Sequence, residues 1–509
     1  MPLLRRISWL LLSTLLFACG ETKDDQPAEP PLTPYLAADG VTITRLSVYQ
    51  GLERDLMNDG AAGSLGGNIP LIGGRDALLR VYYTTDTAYD GNTVLTRVTI
   101  TDNANSAATS GGGGGGGGMA PNGNAPVETV IETTGALYTL SAHDDLASTV
   151  NIDVPGALIT PTSSLRVEFL RARAQSTGTN TKAAYPAENS LSLPVNAAGG
   201  KVRIVLVPVL YNSDGSGRLP DVSASQLKLY RDTFWKLYPV SEVELRVAEP
   251  FEWKGIAILG TGQGWGELLN AFVGHRQASK AAFDEYYYAI FRANDTFEAF
   301  CGQGCIAGLS LLSDNPFNDA ARAGIGLGFS GEGATQTAAH EIGHEHGRGH
   351  VPCGTSQGID PGYPHADGAI GGWGYDLVKK ELVRPETKDF MSYCDPKWVS
   401  DFTYSALLLR SQQVNGAMMN WIHAPGAPAT QRYERVALLP NGKVEWLEPF
   451  ELERPPIGLP EPVQFDGLAP AANVPGQFFP YSHLPGGVVF FPASKRVERI
   501  RLRNRLISR

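Results

Sequence analysis

His340-Glu341-Ile342-Gly343-His344-Glu345-His346-Gly347-Arg348-Gly349-His350 is the stretch that decides what the surrounding chain must build. Residues four apart on an α-helix share a face, so His340 and His344 can aim their imidazoles at one ion while Glu341 reaches a water beside it. Gly347 then ends the helix. Glycine takes the left-handed conformation without a Cβ penalty, which turns the chain and lets His350 swing back as a third ligand. Three neutral histidines leave one position of a tetrahedral metal open, the arrangement of a catalytic rather than a structural zinc site. The remaining histidine of the stretch, His346, stands two residues past His344, points to another side of the helix and reads as non-ligating.

Working upstream, 202–211 is a nearly continuous apolar strand, and 223–237 has helical spacing with Leu227, Tyr230, Phe234 and Leu237 on one face. A strand at 243–247, a helix at 265–283, strands at 286–292, 307–312 and 324–329, and a helix at 334–346 complete the series. Strands alternating with helices imply an α/β layer whose last helix carries the chemistry. Between 41 and 195 the texture differs: short β-branched runs at 41–49, 77–83, 93–101, 149–154 and 165–170 are separated by glycine, proline and asparagine, which reads as a β-sandwich. The glycine run 111–118 within it has nothing to bury and reads as a loop. Beyond 424 the β texture returns at 433–439, 444–450, 488–491 and 497–502, a small C-terminal β-domain. Its last sixteen residues carry seven lysines and arginines against one glutamate, alternating with aliphatic residues as in a guarded edge strand. The fold class expected is therefore multidomain: signal peptide 1–18, tether 19–38, β-sandwich 39–198, α/β catalytic domain 199–424 and C-terminal β-domain 425–509.

Arg5 and Arg6 precede an apolar run at 7–18, long enough for a signal-peptide core and too short to span a bilayer. It ends in Leu16-Phe17-Ala18-Cys19, which resembles the bacterial lipobox, and the resemblance implies acylation of Cys19 and attachment to a membrane, with the outer membrane or cell surface as the location. Acidic, proline-rich residues follow, as in a solvated tether. Removing 1–18 takes away two arginines and moves the formal charge from −10 to −12. A chain so acidic is a poor candidate for binding nucleic acid. Four cysteines remain besides Cys19, an even number in an exported chain, so they should pair, and three connectivities are open.

The eleven residues 340–350 resemble the metzincin zinc signature HExxHxxGxxH with every defining position filled. The resemblance implies one catalytic zinc held by His340, His344 and His350, with Glu341 as general base and Gly347 as the turn. It further implies that Asp389-Phe390-Met391-Ser392-Tyr393-Cys394 is the methionine turn, with Met391 as the floor under the imidazoles and Tyr393 near the metal, where its hydroxyl ligates or stabilises the oxyanion. In that arrangement a Cys353–Cys394 bond would tie the third-histidine loop to the methionine turn, and Cys301–Cys305 would close a tight local loop; a second zinc held by cysteines is the competing idea. Gly374-Tyr375-Asp376 and the residues 398–404 look like a secreted bacterial metzincin group related to mucin-degrading enzymes. By position, 324–329 matches the edge strand that pairs with extended substrate, its glycines permitting close backbone approach. The expected activity is zinc-dependent endoproteolysis of a protein or glycoprotein substrate. The alternatives are an inactive surface-binding lipoprotein and a zinc hydrolase of a cell-wall amide. Oligomeric state is not legible in the sequence.

Overall fold

The computed structural model describes residues 35–63, 69–104, 126–196, 200–355, 357–422, 430–466 and 473–509. Cys19 and the glycine run 111–118 lie outside the described residues. The chain is multidomain and strand-rich. Among the described residues no helix is long and apolar enough to cross a membrane.

Two antiparallel sheets form the N-terminal part. The main path of one runs Tyr35–Ala37, Ser163–Ala172, Val94–Asp102, Val127–Gly135; the other runs Ala61–Ala62, Glu53–Asn58, Val41–Tyr49, Ala77–Thr85, Val150–Val154. Strand residues alternate between faces, so Val98, Ile100, Val167 and Phe169 of one sheet meet Leu46, Val48, Leu79 and Val81 of the other in a single buried cluster. Arg75 fastens this sandwich to the next layer. Fully buried, it donates to the carbonyls of Tyr238 at 2.8 Å and Val240 at 2.7 Å, and to that of Trp235, at and beyond the end of helix Ala224–Leu237 where carbonyls lack helical partners.

The central sheet has the order Glu242–Val247, Lys201–Tyr211, Glu285–Phe291, Ala323–Leu327, Gly308–Ser310. Its first four strands are parallel and the last is antiparallel. A parallel strand buried on both faces should be apolar, which is why the part from Ile204 to Tyr211 has no charged residue, while Lys201 and Arg203 stand at its less buried start. Ile204 and Leu206, with Tyr286, Tyr288 and Ile290, face helices Ala224–Leu237 and Glu332–Glu345. Their neighbours Val205, Val207 and Val209, with Tyr287, Ala289 and Phe291, face helix Trp265–Ala278. That helix stops five residues short of the expected 283: Ser279 caps it and Lys280 takes φ +50°.

The expected edge strand is displaced. Residues 324–329 do not form the rim, because Ala323–Leu327 is sandwiched between Glu285–Phe291 and Gly308–Ser310, and the short antiparallel strand is the outer one. The glycines have a different reason: a Cβ on Gly324 would come within 2.7 Å of Glu345 Oε1, and one on Gly326 would collide with the Tyr288 hydroxyl. They admit side chains from inside the layer rather than substrate from outside.

Helix Asp401–Ile422 follows the turn at 389–394 and was not expected from the sequence. Its inward positions include Thr403, Arg410 and Ser411 besides Tyr404, Leu407, Leu408 and Val414, while Leu409 is exposed, so the apolar stripe is broken by polar residues.

The C-terminal sheet is larger than its sequence texture indicated, with order Val444–Leu452, Gln431–Leu438, Gly487–Pro492, Asn473–Pro480, Leu459–Phe465, Arg499–Leu502, Arg505–Ser508. The basic C-terminal strand lies at its edge, as expected. One face, through Tyr433, Phe450, Phe479, Val488 and Phe490, merges with the core beneath the central sheet, and the other buries Val436, Val463, Val489 and Phe491. The C-terminal sheet is thus fused to the layer that carries the histidines.

Candidate metal centre

Helix Glu332–Glu345 presents small residues to its neighbours, Ala334, Ala338 and Ala339 with Ile342, all buried against the central sheet and helix Ala224–Leu237. His340 and His344 emerge together one turn apart. At Gly347 the backbone adopts φ +78°, and the chain reverses so that His350 returns to the pair. His344 Nε2 lies 3.1 Å from His340 Nε2 and 3.1 Å from His350 Nε2.

Hydrogen bonding fixes the tautomers. His340 Nδ1 donates to Phe390 O at 2.8 Å, His344 Nδ1 to Arg348 O at 2.6 Å and His350 Nδ1 to Gln357 O at 2.8 Å. The three Nε2 atoms therefore face one another as bare lone pairs, an arrangement that is repulsive unless a cation sits among them. A tetrahedral zinc with Zn–N of about 2.0–2.1 Å sets its nitrogens about 3.3 Å apart, close to the spacing found. Burial, the largest cause, lowers all three imidazoles: His340 to about 3, His350 to about 4, and His344 well below its ordinary value. Neutral rings are what metal ligation requires. The residues present fit a zinc ion.

His346 is buried but apart from this cluster. Its ring stacks on Tyr286 at 4.2 Å between centroids, and its Nδ1 bonds to Ile342 O at 2.8 Å, so it serves the core.

Met391 lies under the helix, where a Cβ on Gly343 would come within 2.5 Å of its sulfur; the glycine is what allows this approach. The turn itself is organised by Asp389, which sequence reasoning missed. This fully buried carboxylate accepts from Met391 N at 2.8 Å and Ser400 N at 2.9 Å, so one side chain joins the turn to the start of helix Asp401–Ile422. The cysteines pair as Cys301–Cys305 and Cys353–Cys394, and the second bond links the segment after His350 to the residue after Tyr393.

Tyr393 extends its hydroxyl to 3.4 Å from His350 Nε2. Burial first and the Glu341 charge second push this phenol up to about 12, so it stays protonated and able to donate. Glu341 is buried at the cleft floor. Its Oε2 accepts from Ser310 Oγ at 2.5 Å and Ser482 Oγ at 3.2 Å, and its Oε1 bonds to His483 Nε2 at 2.7 Å. Burial pushes this carboxyl up, but the His483 and His340 rings and the Ser310 hydroxyl outweigh it, and the net direction is below the ordinary carboxylate value. Glycine at 308 gives Glu341 its space, since a Cβ there would fall within 2.5 Å of the carboxylate.

His483 is the second residue missed. It arrives from the C-terminal sheet, 142 positions beyond Glu341, and its ligating atom falls with those of the three histidines within 4.8 Å of one another. No motif surrounds it in the sequence; only the fused sheet brings it here. Beside this centre opens a cleft of about 880 Å³, walled by Ile306 and Ala307 on the rim, Gln336 and Thr337 on the helix, and Tyr393 and Lys397 opposite.

Residues 310–418 match the model of the Peptidase M66 family, which are zinc metallopeptidases. The matched segment contains the histidines 340, 344 and 350, Glu341, Met391 and Tyr393, and stops short of His483. No curated protein matches the chain. The match and the histidine cluster together indicate a metallopeptidase.

Proposed function

We propose that the chain is a zinc-dependent peptidase of the metzincin kind, acting on protein or glycoprotein outside the cytoplasm and held at a membrane by a lipid on Cys19. The observation that carries the reading is the convergence of three Nδ1-bound imidazoles on one point, with a buried carboxylate and a protonated phenol beside it. A zinc ion held by His340, His344 and His350 would supply Lewis acidity, polarising the scissile carbonyl and making water acidic enough to react near neutral pH. Glu341 takes the proton from the attacking water on Oε1 and returns it to the leaving nitrogen as the C–N bond breaks. Ser310 and Ser482 hold its other oxygen, so the carboxylate keeps its aim. Tyr393 donates its O–H to the oxygen that gains charge at the carbonyl. The cleft beside the centre suits an extended polypeptide, and cleavage within chains is the finer reading we attach to it.

The lipid anchor rests on the apolar run 7–18 and its terminal Cys19, and the two disulfides accord with an oxidising compartment. The test is to incubate the purified chain with unfolded protein and with peptidoglycan, alongside Glu341→Ala, and to assay bound metal. We expect one zinc per chain and cleavage of the unfolded protein, abolished in the variant. Cleavage of peptidoglycan alone would replace the peptidase with an amidase, and cleavage of neither would leave a binding protein.

A further inference from the structure

His483 has no part in the reaction just described, yet it stands at its centre. Its ring centroid is 5.2, 5.1 and 4.8 Å from those of His340, His344 and His350. Those three are themselves 4.7 to 5.3 Å apart, so the four rings mark the corners of a near-regular tetrahedron with His483 on the cleft side. Both of its nitrogens are committed elsewhere than to the three-histidine point: Nε2 to Glu341 Oε1 at 2.7 Å and Nδ1 to the Tyr393 hydroxyl at 2.5 Å. A carboxylate can only accept, so Nε2 donates to Glu341, while Nδ1 lies within hydrogen-bond reach of the Tyr393 hydroxyl.

The placement is built rather than incidental. His483 lies in the connection between strands Asn473–Pro480 and Gly487–Pro492. That connection is laid along the outer strand of the central sheet, with Ser482 N donating to Ser310 O at 2.9 Å, Leu312 N to Pro480 O at 2.9 Å, and Tyr481 bridged antiparallel to Leu311. Tyr481 is 3% exposed and its hydroxyl accepts from Asn270 Nδ2 at 2.8 Å. A removable plug would be joined by weaker contacts than a buried tyrosine in a shared core.

We propose that His483 is a positioning residue of the peptidase, supplied by the C-terminal sheet, which holds the Glu341 carboxylate and the Tyr393 hydroxyl at a fixed separation across the open side of the metal centre. This rests on the peptidase reading above. Through its single ring, the base and the oxyanion donor are set relative to each other instead of moving independently.

The test uses the full chain with His483→Ala and His483→Gln, the glutamine retaining one donor and one acceptor. Peptide cleavage is measured as kcat and KM separately, and acetohydroxamate is titrated against the cobalt-loaded proteins by visible absorption. We expect one metal per chain in all three proteins. For His483→Ala, kcat should fall about 10–100-fold with KM little changed, and the hydroxamate should bind about tenfold more weakly, because its hydrogen-bond partner Glu341 is no longer held. His483→Gln should recover part of both. A rise in kcat or tighter hydroxamate binding in His483→Ala would make the residue a cap; loss of metal would make it a ligand; no change would make it idle; each overturns the proposal. If the wild-type chain cleaves no peptide, the peptidase reading fails, and the hydroxamate titration still decides the role of His483.

Discussion

Removing the Cys353–Cys394 bond should loosen the centre in a measurable way. The two cysteines are 41 residues apart, and the loop they close contains Gln357, whose carbonyl orients His350, together with Asp389, Met391 and Tyr393. In the chain-entropy treatment a loop of that length restricts the unfolded chain by about 13 cal/mol/K, or about 4 kcal/mol at 25 °C. The double variant Cys353→Ala/Cys394→Ala should lose up to that amount. Backbone ties survive, from Tyr393 N to Cys353 O at 3.1 Å and from Val351 N to Met391 O at 3.2 Å, so the turn should remain recognisable while the metal is held less tightly. The assay is guanidinium unfolding of the zinc-loaded protein, followed by tryptophan fluorescence and zinc release together. Trp398 is buried beside the turn, its Nε1 bonded to Gly51 O at 2.9 Å, and so reports on this region. A midpoint and a zinc affinity both equal to those of the parent would refute the idea that this covalent link restrains the site.

Gly347→Ala should cost about 1 kcal/mol for left-handed backbone and about 1–3 kcal/mol more for crowding Arg410, whose guanidinium a Cβ at 347 would strike; metal titration should show His350 disengaged, with reduced affinity. Burial lowers His340 and His346 to about 3 and His350 to about 4, whereas unfolded histidines take up protons near 6.5. The unfolded metal-free chain therefore binds more protons between those values, so stability is full above about pH 6.5 and is lost as pH falls, by about 1.4 kcal/mol per pH unit for each such histidine. His346→Phe, which keeps the stack on Tyr286, should make that slope shallower by about one proton in denaturant melts between about pH 4.5 and 5.5; an unchanged slope would remove burial of His346 as a cause.

The histidine stretch was legible because its geometry is local: a helical repeat of four and one glycine turn bring His340, His344 and His350 together whatever the surroundings. The core strand at 201–211 and helix Ala224–Leu237 were legible for the same reason, since their periodicity is written in consecutive residues. What failed was what depends on partners. The strand expected at 307–312 forms as Gly308–Ser310, but its place at the edge is set by pairing with Ala323–Leu327, which consecutive residues do not show. Helix Asp401–Ile422 turns Thr403, Arg410 and Ser411 inward because Arg410 finds the carbonyls of Ser313 and Asp314, a compensation that hydropathy does not register. Asp389 and His483 act at short range in space, through Ser400 and Glu341, but the first looks like any turn residue and the second lies in a different sheet.

An unpaired sheet margin is an invitation to any stray β-strand, and here the protein answers part of it with its own backbone. Residues 480–482 lie along Ser310 to Leu312, and upstream of them Ile306 N is already bonded to Gly260 O at 3.0 Å and Ala307 O to Leu327 N at 2.9 Å. A visiting polypeptide can find few ladder bonds there. On the function proposed above, a substrate would therefore be held by contacts of its side chains with the walls of the cleft more than by strand pairing.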